Sequence, residues 1–492
     1  MDLYIGIDLG TSAAKLLLVD GKGTIINTVT KEYPLLFPKP GWSEQNPEEW
    51  WSACLDGIPE LLAGSDPADV RGIGAGGQMH GLVALDAEDQ VIRPAILWND
   101  GRTAEEVDHL NEVIGRKKLS EWTGNIAFAG FTAPKVLWMR RNEPDHYARI
   151  AKIMLPKDYI NYKLTGVHSC DYSDASGMLL LDVEHRRWSG EMLDLCGLRK
   201  EQMPQLFESY EVIGMVRPEA AKIFGFREDV RVVAGAGDNA AAAVGTGTVG
   251  DGACNISLGT SGTVFIASER FGVDPSNGLH AFAHADGRYH LMGCMLSAAS
   301  CNKWLCEEIL HTKDYAGMQT DITDEKLGRN HVFFLPYLME ERSPINDTNA
   351  RGTFTGITMD TTRSDMVQAV LEGVAFAIRD SMEVARSIGV HVERSRICGG
   401  GARSPLWRKM MANILGIELE IPMTEEGPGY GGAMLAMVGC GEYGSVISCA
   451  DALVRTVETI VPDPEISARY EAKYQQFRKI YPAMKELFPQ II

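Results

Sequence analysis

The chain opens on Tyr4-Ile5-Gly6-Ile7-Asp8-Leu9-Gly10-Thr11-Ser12, an apolar run that ends in a small polar turn. A second apolar run, Leu16-Leu17-Leu18-Val19, follows this turn closely. Two such runs joined by a short turn that contains glycine predict a β-hairpin. The backbone amides and hydroxyls of the turn could bind an anion, and Asp8 stands just before it. We therefore expect an anion-binding hairpin with a carboxylate at its mouth.

The same pattern returns about half the chain length later. Ile256-Ser257-Leu258-Gly259-Thr260-Ser261 is followed by Thr263-Val264-Phe265-Ile266. Coincidence is the alternative, but the position of each copy at the start of one half favours duplication. Strand-like and helix-like stretches alternate elsewhere, which is typical of α/β proteins. We predict two duplicated domains, residues 1–248 and 249–492, that face each other across a cleft.

Residues typical of helix starts and helix ends predict the bounds of several helices. One helix is predicted to begin after Asn46, and another to begin after Ser404 and end at Gly416. A third is predicted from Ser364 to Gly389, and a last, charged helix with an aromatic face from Ile466 to Phe488.

Composition excludes several classes of partner. The 492 residues include 47 basic and 66 acidic ones, which gives a net charge of −19. A surface this acidic repels phosphate backbones and anionic lipid, so nucleic acid and membrane surfaces are not expected as partners. The sequence has no apolar run long enough to cross a membrane and no basic start typical of a signal peptide. We expect a cytoplasmic enzyme.

Two aspartates are candidates for phosphoryl-transfer chemistry. A carboxylate beside a phosphate-binding turn would repel the phosphate unless a cation lies between, so Asp8 is a candidate ligand for Mg²⁺ on a nucleotide; a strand-end aspartate that accepts turn amides is the alternative. Arg231–Asn239 predicts a strand that delivers Asp238 to the start of a helix. This stretch also matches a dinucleotide-binding fingerprint, but Asp238 would oppose the pyrophosphate charge. We therefore interpret Asp238 as a general base for an acceptor hydroxyl.

Two further segments predict a pocket for a neutral, polyhydroxylated ligand. Gly76–Gly81 contains His80, and Trp98–Arg102 adds Trp98, Asp100 and Arg102. Mixed donors and acceptors beside an aromatic face suit such a ligand. Taken alone, His80 fits a hydrogen-bonded structural histidine equally well.

The nucleotide is expected against three glycine-containing loops. Gly399–Ser404 opens the helix predicted after Ser404, and such a loop lets an adenosine lie against backbone; a plain strand-to-helix turn is the alternative. The candidate nucleotide contacts are Gly10, Thr11, Ser12, Gly259, Thr260, Gly400, Gly401 and Ala402.

Taken in order, these segments resemble the FGGY family of carbohydrate kinases, which have the duplicated, ribonuclease-H-like fold of the actin-type ATPases. The resemblance covers roughly residues 3–440. It is carried by residues 5–12, 42–45, 77–81, 94–102, 130–135, 155–159, 237–239, 257–262 and 399–404.

The resemblance implies ATP- and Mg²⁺-dependent phosphorylation of D-xylulose on its 5-hydroxyl. It assigns the catalytic base to Asp238 and the phosphate-side aspartate to Asp8, and it places Met79, His80 and Asn239 on the sugar. It further implies a sugar-binding N-terminal domain, a nucleotide-binding C-terminal domain and, as in many relatives, a homodimer. Phosphorylation of another ketose, a pentitol, gluconate or glycerol stays open, as does a nucleotide-driven clamp or chaperone on the same fold. One departure is Gly427–Ala433, which is richer in glycine than is usual for a stretch expected on the adenine side.

Overall fold

The computed structural model describes residues 2–423 and 426–491. Its strands are β1 Leu3–Leu9, β2 Ala13–Asp20, β3 Ile25–Glu32, β4 Glu44–Gln45, β5 Val70–Gly77, β6 Val83–Leu85, β7 Ala95–Ile96, β8 Lys152–Met154, β9 Ser169–Asp171, β10 Leu181–Asp182, β11 Arg187–Trp188, β12 Gln205–Phe207, β13 Val212–Met215, β14 Arg231–Val233, β15 Ala236–Gly237, β16 Cys254–Leu258, β17 Gly262–Ser268, β18 His280–Ala283, β19 Tyr289–Met295, β20 Phe333–Leu335, β21 Thr353–Thr355, β22 Arg394–Cys398, β23 Glu418–Pro422 and β24 Thr456–Ile460.

The α-helices alternate with these strands. They are α1 Pro47–Leu61, α2 Ala104–Asp108, α3 Arg116–Thr123, α4 Thr132–Asn142, α5 Pro144–Ala148, α6 Pro156–Thr165, α7 Tyr172–Ala175, α8 Gly190–Cys196, α9 Pro218–Phe224, α10 Asp238–Gly245, α11 Ala299–Trp304, α12 Arg363–Ser387, α13 Pro405–Leu415, α14 Gly427–Cys440, α15 Val446–Leu453, α16 Pro464–Phe477 and α17 Ile480–Met484.

Two large mixed sheets organise the molecule, and each is the centre of one lobe. The N-terminal sheet has the order β3-β2-β1-β5-β14-β13, with β15 also pairing with β5. The C-terminal sheet has the order β19-β17-β16-β22-β23-β24, with β18 added beside β19. In both sheets the first strand pairs antiparallel with the second and parallel with the strand on its other side. The prediction of a duplicated α/β fold is confirmed.

The two hairpins have the predicted turns. Leu9 pairs with Ala14 across Gly10-Thr11-Ser12, and Leu258 pairs with Gly262 across Gly259-Thr260-Ser261. Each hairpin lies in the middle of its sheet. The two turns therefore project from corresponding edges of the N-terminal and C-terminal sheets, at the ends of β1 and β16. The domain boundary at residues 248 and 249 stays a prediction.

Helix ends agree with the sequence where a side chain caps the backbone. Asn46 accepts the amide of Glu48 at the start of α1, and Ser404 accepts that of Trp407 at the start of α13. The helix predicted from Ser364 begins instead at Arg363, because Thr362 forms the capping box.

The predicted C-terminal helix is divided into α16 and α17, which corrects the expectation of one helix. Pro482 has no amide proton, and its ring would clash with the carbonyl of Arg478, four residues earlier. The aromatic face of α16 packs onto the body of the C-terminal lobe, where Tyr474 stacks on Phe376 of α12.

Helix α14 leaves its own lobe and packs on the N-terminal sheet. A Cβ atom on Gly431 would lie 1.9 Å from the Ala241 carbonyl of α10, and one on Gly432 would lie 2.5 Å from the Gly74 carbonyl of β5. These contacts explain the glycine-rich stretch from Gly427 to Ala433. Its glycines serve close packing between the lobes, and its place on the adenine side stays a prediction. Among the described residues, no helix is both long and apolar enough to cross a lipid bilayer.

Candidate active site

Three adjoining cavities lie along the cleft between the lobes. We call them the inner, middle and outer cavities, with volumes of about 270, 360 and 750 Å³. Asn239 and Thr263 line both the inner and the middle cavity. The middle cavity meets the outer one at the glycine loop, because Gly399 lines the former and Gly400 the latter. The row of cavities can hold an elongated ligand pair rather than a single small molecule.

Sheet register places Asp8 and Asp238 at one edge of the N-terminal sheet. Asp8 of β1 is paired with Gly76 of β5, and Gly76 is paired with Ala236 of β15. Neighbouring strands are about 4.8 Å apart, so the ends of β1 and β15 lie roughly 10 Å apart. Asp238 follows β15 directly as the first residue of α10. The two residues thus lie at the same edge of the N-terminal sheet; Asp238 lines the inner cavity, whereas Asp8 is not among the residues that line the three cavities.

The electrostatics of the two aspartates agree with this proximity. Burial and, second to it, the negative charge of Asp8 raise the pKa of Asp238 to about 7, against the opposite effect of the hydrogen bonds from Asn239. Burial also raises the pKa of Asp8 to about 6; Lys15 lowers it and Glu426 raises it. A cation placed between the two carboxylates would relieve this repulsion.

Asp238 is held at one oxygen and lacks a partner at the other. Its Oδ1 accepts the Asn239 backbone amide at 2.7 Å and the Asn239 Nδ2 at 3.0 Å. Within the described residues, no hydrogen bond is recorded for Oδ2, and Asp238 lines the inner cavity. An oxygen in this state can accept a proton from a bound hydroxyl.

A buried polar network supports the backbone just before Asp238. The Gly237 amide donates to Ser173 Oγ at 3.1 Å, and Ser173 Oγ donates to Asp171 Oδ2 at 2.5 Å. Asp171 Oδ1 in turn lies 2.9 Å from Lys157 Nζ. Lys157 also lies 2.6 Å from Asp158, and these charged side chains are essentially unexposed. This buried network therefore holds the backbone that carries Asp238 in place.

The loop that carries Met79 and His80 forms one wall of the inner cavity. His80 has a positive φ of 71°, a strained conformation for a residue other than glycine. Its backbone carbonyl accepts Lys135 Nζ at 2.9 Å, and its ring Nδ1 lies 2.8 Å from the Gly177 carbonyl. Burial and the charge of Lys135 lower the pKa of His80 well below its usual value. His80 is thus held as a neutral imidazole against the cavity.

Trp98 connects the inner cavity to the first hairpin turn. Its indole Nε1 donates to Thr11 Oγ1 at 2.9 Å, and the ring lines the cavity while remaining 46% exposed. The Gly10 amide donates to the Ala13 carbonyl at 3.0 Å and so closes the hairpin. This amide is not available to an anion, which corrects the prediction for Gly10; Thr11 and exposed Ser12 remain predicted phosphate contacts.

Asp100 and Arg102 do not line the inner cavity. Arg102 is paired with Asp100 at 2.7 Å and with Glu44 at 2.7 Å, and its guanidinium lies 3.7 Å from the ring centre of Trp42. Asp100 Oδ2 also accepts the Ser43 amide at 2.5 Å. The carboxylate of Asp100 and the Nε and Nη2 atoms of Arg102 are bound within the protein, and Arg102 Nη1 is buried away from the cavity, so the prediction of direct substrate contact by these two residues is not supported.

The outer cavity contains four of the eight predicted nucleotide contacts. Gly259, Thr260, Gly400 and Gly401 line it, whereas Ala402 is turned into the protein and donates its amide to the Gly399 carbonyl. The facing wall was missed by the sequence analysis, because no motif marks it. It consists of Ala299, Ser300, Asn302, Lys303, Tyr315, Ala316 and Gln319.

The C-terminal lobe supplies the second wall of the inner cavity, which was also missed. Its cavity-facing members include His280 and Phe282 of β18, Cys294 of β19 and Arg342. None lies in a motif with a recognisable local signal, since long-range packing brings them to the cleft.

The chain was compared with known proteins. Models of the N-terminal and C-terminal domains of the FGGY family of carbohydrate kinases match residues 3–245 and 254–440. The xylulose kinase of Escherichia coli K12 is 41% identical, over 97% of this chain and 98% of that protein. A solved structure of a xyloylose kinase from Brucella ovis has a TM-score of 0.94 at 41% identity and covers 99% of this chain and 100% of its own. A gluconate kinase from Lactobacillus acidophilus also has a TM-score of 0.94, at 25% identity and full coverage of both chains.

Proposed function

We propose that this chain, which belongs to the FGGY family of carbohydrate kinases, transfers the terminal phosphoryl group of ATP to the 5-hydroxyl of D-xylulose. The similarity to xylulose kinases over nearly the whole chain supports this substrate. The observation that carries the proposal is the position of Asp238 in the inner cavity, next to Asn239 at the junction with the middle cavity.

In this proposal the three cavities have different occupants. The sugar lies in the inner cavity against Met79, His80 and Trp98, and the adenosine lies in the outer cavity against Gly400 and Gly401. The phosphates cross the middle cavity, between Asn239 of the N-terminal lobe and Ser257 and Gly399 of the C-terminal lobe. Asp238 Oδ2 accepts the proton of the attacking hydroxyl, which then displaces ADP from the γ-phosphorus.

Asp8 fits the role of holding Mg²⁺ with the nucleotide. Carboxylate oxygen is a preferred ligand of this ion, and Asp8 is half-buried beside a second negative charge. When bound, Mg²⁺ neutralises charge on the phosphates and orients them. Asp8 itself needs to be ionised to hold the ion, and Lys15, which forms an ion pair with Glu426, favours this state.

The family assignment sets aside the clamp or chaperone alternative, but it does not choose among sugars. Gluconate is the second candidate, because a gluconate kinase has the same fold at a TM-score of 0.94. Gluconate carries a charged carboxylate and D-xylulose is neutral, so the two sugars need different side chains in the inner cavity.

The test is coupled ADP release with D-xylulose, L-xylulose, D-ribulose, L-ribulose, gluconate and glycerol at equal concentrations. The proposal expects the highest kcat/KM with D-xylulose, and 5-phosphate as the product by phosphorus NMR. A higher kcat/KM for any other sugar would contradict the substrate assignment while leaving the kinase assignment in place.

A further inference from the structure

The lining of the inner cavity includes a cationic side chain. Arg342 lines the cavity from the C-terminal lobe. Among the described residues, no ion pair or side-chain hydrogen bond is recorded for its guanidinium, whose recorded contact is with the ring of Phe128, 5.3 Å away. A guanidinium has five donors and no acceptor, so one inside a cavity is suited to ligand oxygens.

The backbone around Arg342 is fixed. The Arg342 amide donates to Glu341 Oε1 at 2.8 Å, and the same oxygen accepts the Leu296 amide of the cavity wall at 3.1 Å. The Ser343 amide donates to the Cys294 carbonyl at 3.0 Å. Because Glu341 is only 3% exposed, this clamp lies behind the wall rather than in the cavity. The structure therefore holds Arg342 in place before any ligand binds.

Arg342 lines the inner cavity and not the middle cavity, which we assign to the phosphates. The junction with the middle cavity is formed by Asn239 and Thr263, next to Asp238. Arg342 and its neighbour His280 line the inner cavity only. Because Asp238 and Arg342 line the same cavity of about 270 Å³, a sugar whose reacting hydroxyl is at Asp238 can place its other oxygens against Arg342.

The ring chemistry of a ketopentose determines which functional groups the bound sugar has at C1 and C2. In the furanose ring the 5-oxygen is bonded to C2 and cannot attack a phosphate. A substrate phosphorylated at O5 is therefore open-chain, with a free carbonyl at C2 and a hydroxyl at C1. A carbonyl oxygen only accepts hydrogen bonds, which matches a side chain that only donates.

We propose that Arg342 is a specificity-determining residue, which binds the C1–C2 end of the open-chain ketose from the C-terminal lobe. This inference rests on the proposed function. It also means that the sugar is held by both lobes, through Met79 and His80 on one side and Arg342 on the other. Sugar binding would then favour the closed arrangement of the cleft.

The test compares D-xylulose with xylitol, which differ only at C2. Arg342→Met keeps much of the side-chain volume and removes the donors, Arg342→Lys keeps one donor group, and Arg329→Met serves as the control on an exposed arginine of the same lobe. Binding of each sugar is measured by calorimetry, turnover by ADP release, and folding by the melting temperature.

We expect Arg342→Met to lower kcat/KM for D-xylulose by about 10- to 100-fold, with partial recovery in Arg342→Lys. Xylitol keeps the C1 hydroxyl and its C2 hydroxyl also accepts hydrogen bonds, so its binding should weaken, but less than that of D-xylulose, whose C2 oxygen can only accept. The preference for the ketose over the pentitol should therefore fall, with KM for ATP and the melting temperature near those of the Arg329→Met control. An equal loss for both sugars, or an unchanged preference, would overturn the inference. If the unaltered protein turns over another sugar and not D-xylulose, the proposed function itself fails, and this inference fails with it.

Discussion

Asp238 combines three properties that a general base needs. It has an oxygen with no hydrogen-bond partner in the described part of the chain, a backbone fixed by the Ser173–Asp171 hydrogen bonds, and a raised pKa. A base whose pKa is near the working pH can take a proton in the transition state and release it afterwards. The neighbouring Asp8 contributes to this raised pKa by its charge, so the two aspartates act as one electrostatic unit.

Removal of the base should affect turnover more than binding. We expect Asp238→Asn, which keeps the size but accepts no proton, to lower kcat by about 10²–10⁴-fold with a small change in the KM for the sugar. The matched control is Asp229→Asn, because Asp229 is exposed and pairs with Arg227 at the surface. Steady-state ADP release measures both constants, and near-normal turnover of Asp238→Asn would disprove the assignment of the base.

The same carboxyl group predicts the pH dependence. Asp238 must be ionised to accept a proton, and burial together with Asp8 raises its pKa to about 7. The value of kcat/KM should therefore fall as the pH decreases through about 7 and level off above it. The profile is measured between about pH 5.5 and 8.5 with the melting temperature followed in parallel. A flat profile over this range would argue against Asp238 as the titrating base.

Sequence reasoning correctly predicted positions that depend on the residues next to them in the chain, while the roles of these residues stay predictions. Asp8 and Asp238 end strands beside small residues, and the structure places both at one sheet edge. It did not succeed for Asp100 and Arg102, because a polar motif does not reveal that Glu44 and Trp42 hold the guanidinium inside the protein. Arg342 could not be found at all, since only long-range packing brings it to the cavity.

At the scale of elements, helix α14 shows why the chain needs glycine where the lobes meet. Its glycines let the helix backbone contact β5 and α10 directly, without a side chain between them. The sequence shows these glycines, but not their partners, because the helix belongs to one half of the chain and packs on the other. The first turn of α14 also reaches the middle cavity through Gly427 and Pro428.

An alanine in this helix should therefore destabilise the protein. The Cβ of Gly431→Ala would lie 1.9 Å from the Ala241 carbonyl, so α14 or α10 must move. Overpacking of this kind costs about 1–3 kcal/mol, and the melting temperature should fall by several degrees. Gly190→Ala, where the added atom meets nothing within 4 Å, should leave the melting temperature nearly unchanged. Equal stability of both variants would contradict this account of the glycines.

At the scale of the whole molecule, the sugar cavity is completed by a strand that both lobes hold. Strand β18 pairs with β19 in the C-terminal sheet, and its other side is bound by the N-terminal lobe. Asn125 Nδ2 donates to the Ala281 carbonyl at 2.9 Å, and the Ala281 amide donates to Asn125 Oδ1 at 3.1 Å. The Ala283 amide donates to Ser176 Oγ at 3.0 Å. His280 and Phe282 on this strand therefore keep a defined position relative to Met79 and His80.

Loss of the Asn125–Ala281 hydrogen bonds should weaken sugar binding, although Asn125 does not contact the sugar. Asn125 does not line the inner cavity, but Asn125→Ala leaves the amide and carbonyl of Ala281 without partners, a cost of about 1–3 kcal/mol for each unpaired group. We expect D-xylulose to bind about 5- to 20-fold more weakly by calorimetry, and the Ala281 amide to exchange faster with solvent. In the control Asn142→Ala, only a bond to the Trp138 carbonyl at the end of α4 is lost, so sugar binding should be unchanged. If Asn125→Ala exchanges faster at Ala281 yet binds D-xylulose as tightly as the unaltered protein, then the position of β18 relative to the N-terminal lobe does not control the sugar site.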